Sequence, residues 1–123
     1  MLVPEDNRYP PWWRKSAAAR KLLLSQAVSL LHKKLKEYPK VHGALIYGSY
    51  ATDSVGPDSD LDIMVIADSD LPQLERMTPF YQELRLGVAF DLVVYTPAEF
   101  ERLKRTRGFV AQAAREGIWL DAG

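Results

Sequence analysis

The sequence predicts a small α/β fold, a mixed β-sheet flanked by helices. Three observations predict it. Apolar runs at 41–47, 61–67 and 88–95 read as buried strands. Helical patterns precede the first run and follow the third, while Gly48-Ser49, Gly56-Pro57 and Gly87 punctuate the stretches between. The runs are short, so the sheet they build is small.

Residues 1–15, with Pro4, Pro10, Pro11 and the pair Trp12-Trp13, read as an N-terminal arm, and residues 16–123 as a single domain. The two tryptophans are expected to cap the core. Ser16 is a candidate N-cap for a helix reaching about Tyr38. Leu24, Ala27, Val28, Leu31, Leu35 and Tyr38 lie at helical spacing along it. Lys33, Lys34, Lys36 and Lys40 gather at its end, where positive charge suits the helix dipole, and Pro39 stops it. The first strand, 41–47, runs into Gly48-Ser49, which is expected to open a short helical turn, and 53–59 is loop. The second strand is 61–67, and 68–77 reads as polar and loosely organised. Thr78-Pro79 is expected to open a short helix through Arg85, with proline at the first position. The third strand, 88–95, is apolar except for Asp91. Thr96-Pro97-Ala98-Glu99 is a capping box that starts a helix to about Arg105. Gly108 breaks that helix, a last one runs to Glu116 with Gly117 as its C-cap, and Ile118-Trp119-Leu120 adds an edge strand.

A chain of 123 residues, 47% hydrophobic and 26% charged, fits one soluble globular domain. No apolar run approaches the roughly 20 residues of a membrane span. Met1-Leu2-Val3-Pro4-Glu5-Asp6 lacks the plan of a secretory signal, and the absence of cysteine excludes disulfides and thiolate metal sites. A cytoplasmic protein is expected. The zero net charge conceals segregation: +6 over residues 1–40, −7 over 41–96 and +1 from 97 onward. So acidic a middle segment needs counter-charge, from a bound cation or from salt bridges to the basic N-terminal segment. Charge counting alone favours the salt bridges.

Three features point to chemistry. Asp60 and Asp62 stand two residues apart at the mouth of an apolar strand, so their side chains share a face. Paired carboxylates there are tolerable if one is protonated or a cation lies between them, and such oxygens suit magnesium. Asp91 interrupts Val88–Val94, where a charge is costly unless paired. If its strand lies beside the second, Asp91 completes a three-carboxylate cluster able to hold cations in phosphoryl transfer; a structural ion pair is the plainer reading. Gly48-Ser49 after a buried strand offers backbone N–H groups and a hydroxyl to a phosphate. The spacing of Asp58, Asp60 and Asp62 does not continue as a calcium loop, because Ile63 stands where glycine is required and Ser69 where glutamate is. No Ser/His/Asp set and no Walker-type loop is present, and His32 and His42 are isolated.

Taken together, Gly48-Ser49, ten intervening residues and Asp60-Leu61-Asp62 resemble the signature of the minimal nucleotidyltransferases of the DNA polymerase β superfamily. Leu61–Val65 resembles that family's second strand and Phe90-Asp91-Leu92-Val93 the strand bearing its third aspartate. Tyr95–Phe100 and Arg115–Ile118 are also similar to these small proteins, so the resemblance covers about residues 41–120. The resemblance implies a nucleotidyltransferase fold and a site in which Asp60 and Asp62 ligate Mg2+. It further implies that Asp91 joins them and helps activate the attacking hydroxyl, while Gly48 and Ser49 hold the phosphates of ATP. AMP passes to an acceptor and pyrophosphate leaves. Stand-alone members of this size act as antitoxins beside a helical HEPN-domain toxin, some by placing AMP on a toxin tyrosine. One departure stands out: Thr52-Asp53 occupies the place of a frequent Arg-Gly, which removes a cation and adds a negative charge near the phosphates.

The leading expectation is therefore a magnesium-dependent adenylyltransferase acting on a protein. The alternative is a degenerate domain of the same fold that neutralises or scaffolds a partner without turnover. Transfer to a small hydroxylated molecule ranks third, since little chain is left for an acceptor domain. Direct nucleic-acid binding is not expected at zero net charge.

Overall fold

The computed structural model describes residues 11–123. Helix α1 (Pro11–Lys34) tightens into a 3₁₀ turn at Leu35–Glu37 and leads into β1 (Val41–Tyr47) and β2 (Leu61–Ala67). Then come α2 (Gln73–Glu83), β3 (Phe90–Tyr95), α3 (Pro97–Leu103), α4 (Phe109–Glu116) and β4 (Ile118–Asp121). The strands lie in the order β3-β2-β1-β4. β1 is antiparallel to both β2 and β4, while β2 and β3 run parallel, so the sheet is mixed.

Both faces of the sheet are covered. Ala44, Ile46, Ile63, Val65, Leu92 and Val94 pack against Leu24, Leu31 and Leu35, with Phe80 and Leu84 of α2 closing the layer. The opposite face carries Leu45, Met64 and Ile66 under Val110 and Ala113 of α4, with Phe100 and Leu103 of α3 alongside. Strands buried on both sides read as continuous apolar runs rather than alternating ones, which is why β1 and β2 stand out in the sequence. Among the described residues no helix is long and apolar enough to cross a membrane.

Four expectations need correction. Helix α1 already includes Pro11, a residue tolerated in a first helical turn, so Ser16 lies within the helix, exposed, and does not cap it. Of the N-terminal arm, residues 1–10 and the Trp13 side chain lie outside the described residues; Trp12 is 68% exposed and caps no core. Helix α2 begins at Gln73, placing Pro79 in its interior instead of at its start. Met77, Phe80, Tyr81 and Leu84 form an i, i+3, i+4, i+7 stripe, and burial of Phe80 and Leu84 outweighs the hydrogen bond that Pro79 forfeits. β3 starts at Phe90, two residues later than expected.

The capping box forms as expected: the Glu99 N–H donates to Thr96 Oγ1 (3.2 Å) and the Thr96 N–H to Glu99 Oε1 (2.9 Å). Arg76 of α2 binds the same carboxylate, its Nη1 donating to Oε1 at 2.6 Å and its Nη2 to Oε2 at 3.3 Å. This pair ties α2 to the start of α3 beside the end of β3. Tyr81 secures the other end of the strand, its hydroxyl accepting from the Leu92 N–H at 2.7 Å and donating to the Leu92 carbonyl at 3.3 Å.

Candidate active site

Tyr47 closes β1, Asp62 is the second residue of β2 and Asp91 the second of β3. Tyr47 pairs with Asp62, and Asp62 pairs with Asp91 across the parallel ladder. Paired residues on adjacent strands present their side chains to the same face. The row therefore stands at one end of the face that α3 and α4 cover farther along. Asp62 is partly buried, while Asp60, just before the strand, and Asp91, on the edge, are exposed.

Burial raises the Asp62 carboxyl above the ordinary aspartate range, and the negative charges of Asp91 and then Asp60 raise it further. Asp91 and Asp60 thus both bear on Asp62. Tyr47 is pushed up to about 12, first by burial and then by Asp62 and Asp91. Among the described residues no Lys or Arg lies at ion-pair distance from Asp60, Asp62 or Asp91, so the structural ion pair considered for Asp91 does not form there. Nor, among the described residues, do three Asp, Glu or His side chains close around a common point.

Gly48 follows Tyr47 with φ 75°, and a β-carbon there would fall on the Asp62 carboxylate. Only glycine combines that backbone with so close an approach. The Thr52 N–H reaches the Gly48 carbonyl at 3.2 Å, closing one α-turn that does not continue into a helix. The Ser54 N–H reaches the Ser49 carbonyl at 2.9 Å. The turn and the carboxylate row are in direct contact through Gly48 and Asp62.

The family profile described as "Polymerase beta, Nucleotidyltransferase" matches residues 30–118, most of the chain. The chain belongs to the polymerase β nucleotidyltransferase family. Among solved structures it is similar to a Sulfolobus solfataricus protein assigned as a nucleotidyltransferase. The TM-score is 0.61, at 20% identity over 85% of this chain and 86% of the other, a likeness that speaks for the fold. No curated protein matches the sequence.

In this nucleotidyltransferase domain α1 holds the loop that follows Gly48-Ser49. Ser25 Oγ and Tyr50 Oη lie 2.9 Å apart, Arg20 Nε donates to the Pro57 carbonyl at 3.0 Å, and Lys21 pairs with Asp53. Asp53 has φ 55°, a conformation that suits glycine best and aspartate better than most. Lys21 thereby offsets the charge introduced at that position. Among the described residues Lys21–Asp53 is the one ion pair joining 11–40 to 41–96. Among the described residues, salt bridging to the basic segment therefore neutralises little of the acidic one. The reason is placement: Lys33 to Lys40 sit where β1 begins, whereas the carboxylate row sits where it ends.

The structure also brings aromatic residues to the edge of this row. Tyr47 flanks the acids, and its ring centroid is 6.2 Å from that of Phe109; Tyr95 and Phe109 are 6.4 Å apart. The signal available for Tyr47 was its position next to Gly48; nothing local marks Phe109.

Proposed function

We propose that the chain is a magnesium-dependent nucleotidyltransferase that moves AMP from ATP to a hydroxyl of a partner protein, as an antitoxin acting on a HEPN-type toxin. The observation that carries the reading is the contact of the Gly48 turn with Asp62, which joins an anion-binding backbone to a cluster of carboxylates that, among the described residues, no Lys or Arg neutralises. The donor set fits magnesium. That ion binds few protein oxygens and keeps other places for water and phosphate, so a closed cage of three side chains is not required. Asp60 and Asp62 would hold it, with Asp91 as a further ligand. When bound, the ion supplies charge neutralisation for the phosphates and the leaving pyrophosphate.

The chain's own groups account for the remainder. Backbone N–H groups of the turn and the Ser49 hydroxyl bind phosphate oxygens and hold the α-phosphorus over the row. Asp91, exposed on the edge strand, takes the proton of the incoming hydroxyl. The hydroxyl oxygen bonds to the α-phosphorus, the bond from that phosphorus to the β-phosphate oxygen breaks, and pyrophosphate departs with the electron pair. Tyr47 stays protonated at neutral pH and is a neutral neighbour of the acids.

One observation favours a non-catalytic reading as well. Helix α1 contains no acidic residue and exposes Trp12, Leu23 and Leu30 along its length, a surface suited to scaffolding a protein partner. A single experiment separates the two readings. The chain is co-purified with its partner from the native host and incubated with magnesium and ATP labelled on the α-phosphate. Label should enter the partner with wild-type chain and not with Asp62→Asn, while the complex persists in both. An intact complex without transfer would favour scaffolding, and label on a small molecule would contradict the protein acceptor.

A further inference from the structure

We propose that Phe109 is the stacking platform for the nucleobase of the donor nucleotide, making it a specificity-determining residue of the site. The inference rests on the nucleotide-transfer reading above. Within α4, Val110, Ala111 and Ala113 are buried, yet Phe109 at the start of the same helix is 50% exposed. Its ring lies against Tyr47 and Tyr95, tilted 41° and 45° to them at 6.2 and 6.4 Å, so two half-buried tyrosines support one ring that remains open to solvent. Such tilted contacts leave a face of the outer ring available.

Position decides what that face is for. Tyr47 stands in the row with Asp62 and Asp91 and is bonded directly to Gly48. The aromatic patch and the phosphate turn are therefore contiguous. A molecule that fills both carries a polyphosphate and a flat ring a few bonds apart, which describes a nucleotide. Two other exposed aromatics are placed differently. Tyr81 already stacks on Phe90, with ring centroids 5.3 Å apart, and Trp119 borders a cleft with His42, Pro97 and Phe100 toward the opposite end of the sheet. Base–aromatic stacking grows with ring area and tolerates any base, so the site should prefer purines to pyrimidines without selecting one purine by stacking alone.

The test titrates ATP and inorganic tripolyphosphate, each with magnesium, into wild type, Phe109→Ala and Phe109→Trp. Far-UV circular dichroism and melting curves establish that the variants fold, as half-exposure of the side chain leads one to expect. Phe109→Ala should weaken ATP binding about 5- to 100-fold while leaving tripolyphosphate within twofold, and Phe109→Trp should restore ATP affinity. Equal ATP affinity in wild type and Phe109→Ala would overturn the proposal, as would a parallel loss for both ligands. An unchanged ATP affinity with a raised KM for the acceptor would also overturn it and reassign the ring to the acceptor. A wild type that binds neither ligand would sink the nucleotide reading itself, a result distinct from the others.

Discussion

At the scale of single residues, Asp62 is where stability and function oppose one another. Its carboxyl is raised by burial and then by Asp91 and Asp60. A folded-state value above the unfolded one means that its stabilising contribution is complete below about pH 3.9 and is lost as pH rises through the folded value. At neutral pH without metal, the ionised group weakens the fold. Asp62→Asn should therefore raise Tm at pH 7 in metal-free buffer, by up to about 4 °C for a domain of this size, with the gain vanishing near pH 4. Asp91→Asn should act in the same direction, because it removes the charge with the larger effect on Asp62. Both should lower transfer at least about 100-fold, since even outer-shell partners of a metal cost up to that much. A fall in Tm for Asp91→Asn would reveal a cationic partner. Gly48→Ala tests the neighbouring contact: the positive φ alone costs about 1–2 kcal/mol, and the new methyl meets the Asp62 carboxylate. Lower denaturant stability together with lost ATP binding is expected, and an unchanged midpoint would refute the packing described for the turn.

Among the elements, the Arg76–Glu99 pair does the joining, binding α2 to the cap of α3 with side chains 12% and 32% exposed. The Arg76 hydrogen bond is the chief cause that holds Glu99 below its ordinary range. Stability from the pair is therefore present above about pH 4.3 and disappears as pH falls through the lower folded value. Arg76→Ala should cost roughly 2–4 kcal/mol by urea denaturation, toward the lower end for a partly solvated pair. Glu99→Gln should flatten the acid limb of the stability curve, and a curve matching wild type would contradict the pair's role. The same elements show what was legible beforehand. β1, β2 and the capping box were readable because doubly buried strands and paired cap residues leave local signals. Helix α2 was not, because Pro79 suggests a helix start and only tertiary burial of Phe80 and Leu84 carries the helix through it. Gly48-Ser49 and Asp60-Leu61-Asp62 were readable from spacing. The neighbourhood of Asp62 and Asp91 was expected only on condition that their strands pair, or from the family resemblance, since parallel register links residues 29 positions apart. Phe109 reaches Tyr47 only through the fold of the sheet and α4, which no local pattern encodes.

For the whole molecule, the segregated charge acquires a consequence. The acid-free helix α1 lies along one face of the sheet, and the carboxylates Asp60, Asp62 and Asp91 stand unneutralised at one end of it among the described residues. Lys21 contributes a single bridge between the two regions. A site so charged repels a triphosphate until a divalent cation enters with it. Lys21→Ala frees Asp53 and should weaken Mg-ATP binding a few-fold while leaving the fold intact, because exposed ion pairs contribute at most about 1 kcal/mol. The central claim, that the carboxylate row and the glycine turn form a magnesium-dependent nucleotide site, is tested most directly by calorimetric titration of ATP. Wild type and Asp62→Asn are each titrated with magnesium and with chelator. Binding by wild type at least about tenfold tighter with magnesium, together with loss of that difference in Asp62→Asn, is the predicted result. Equal affinity with and without magnesium, or no ATP binding at any accessible concentration, would contradict it.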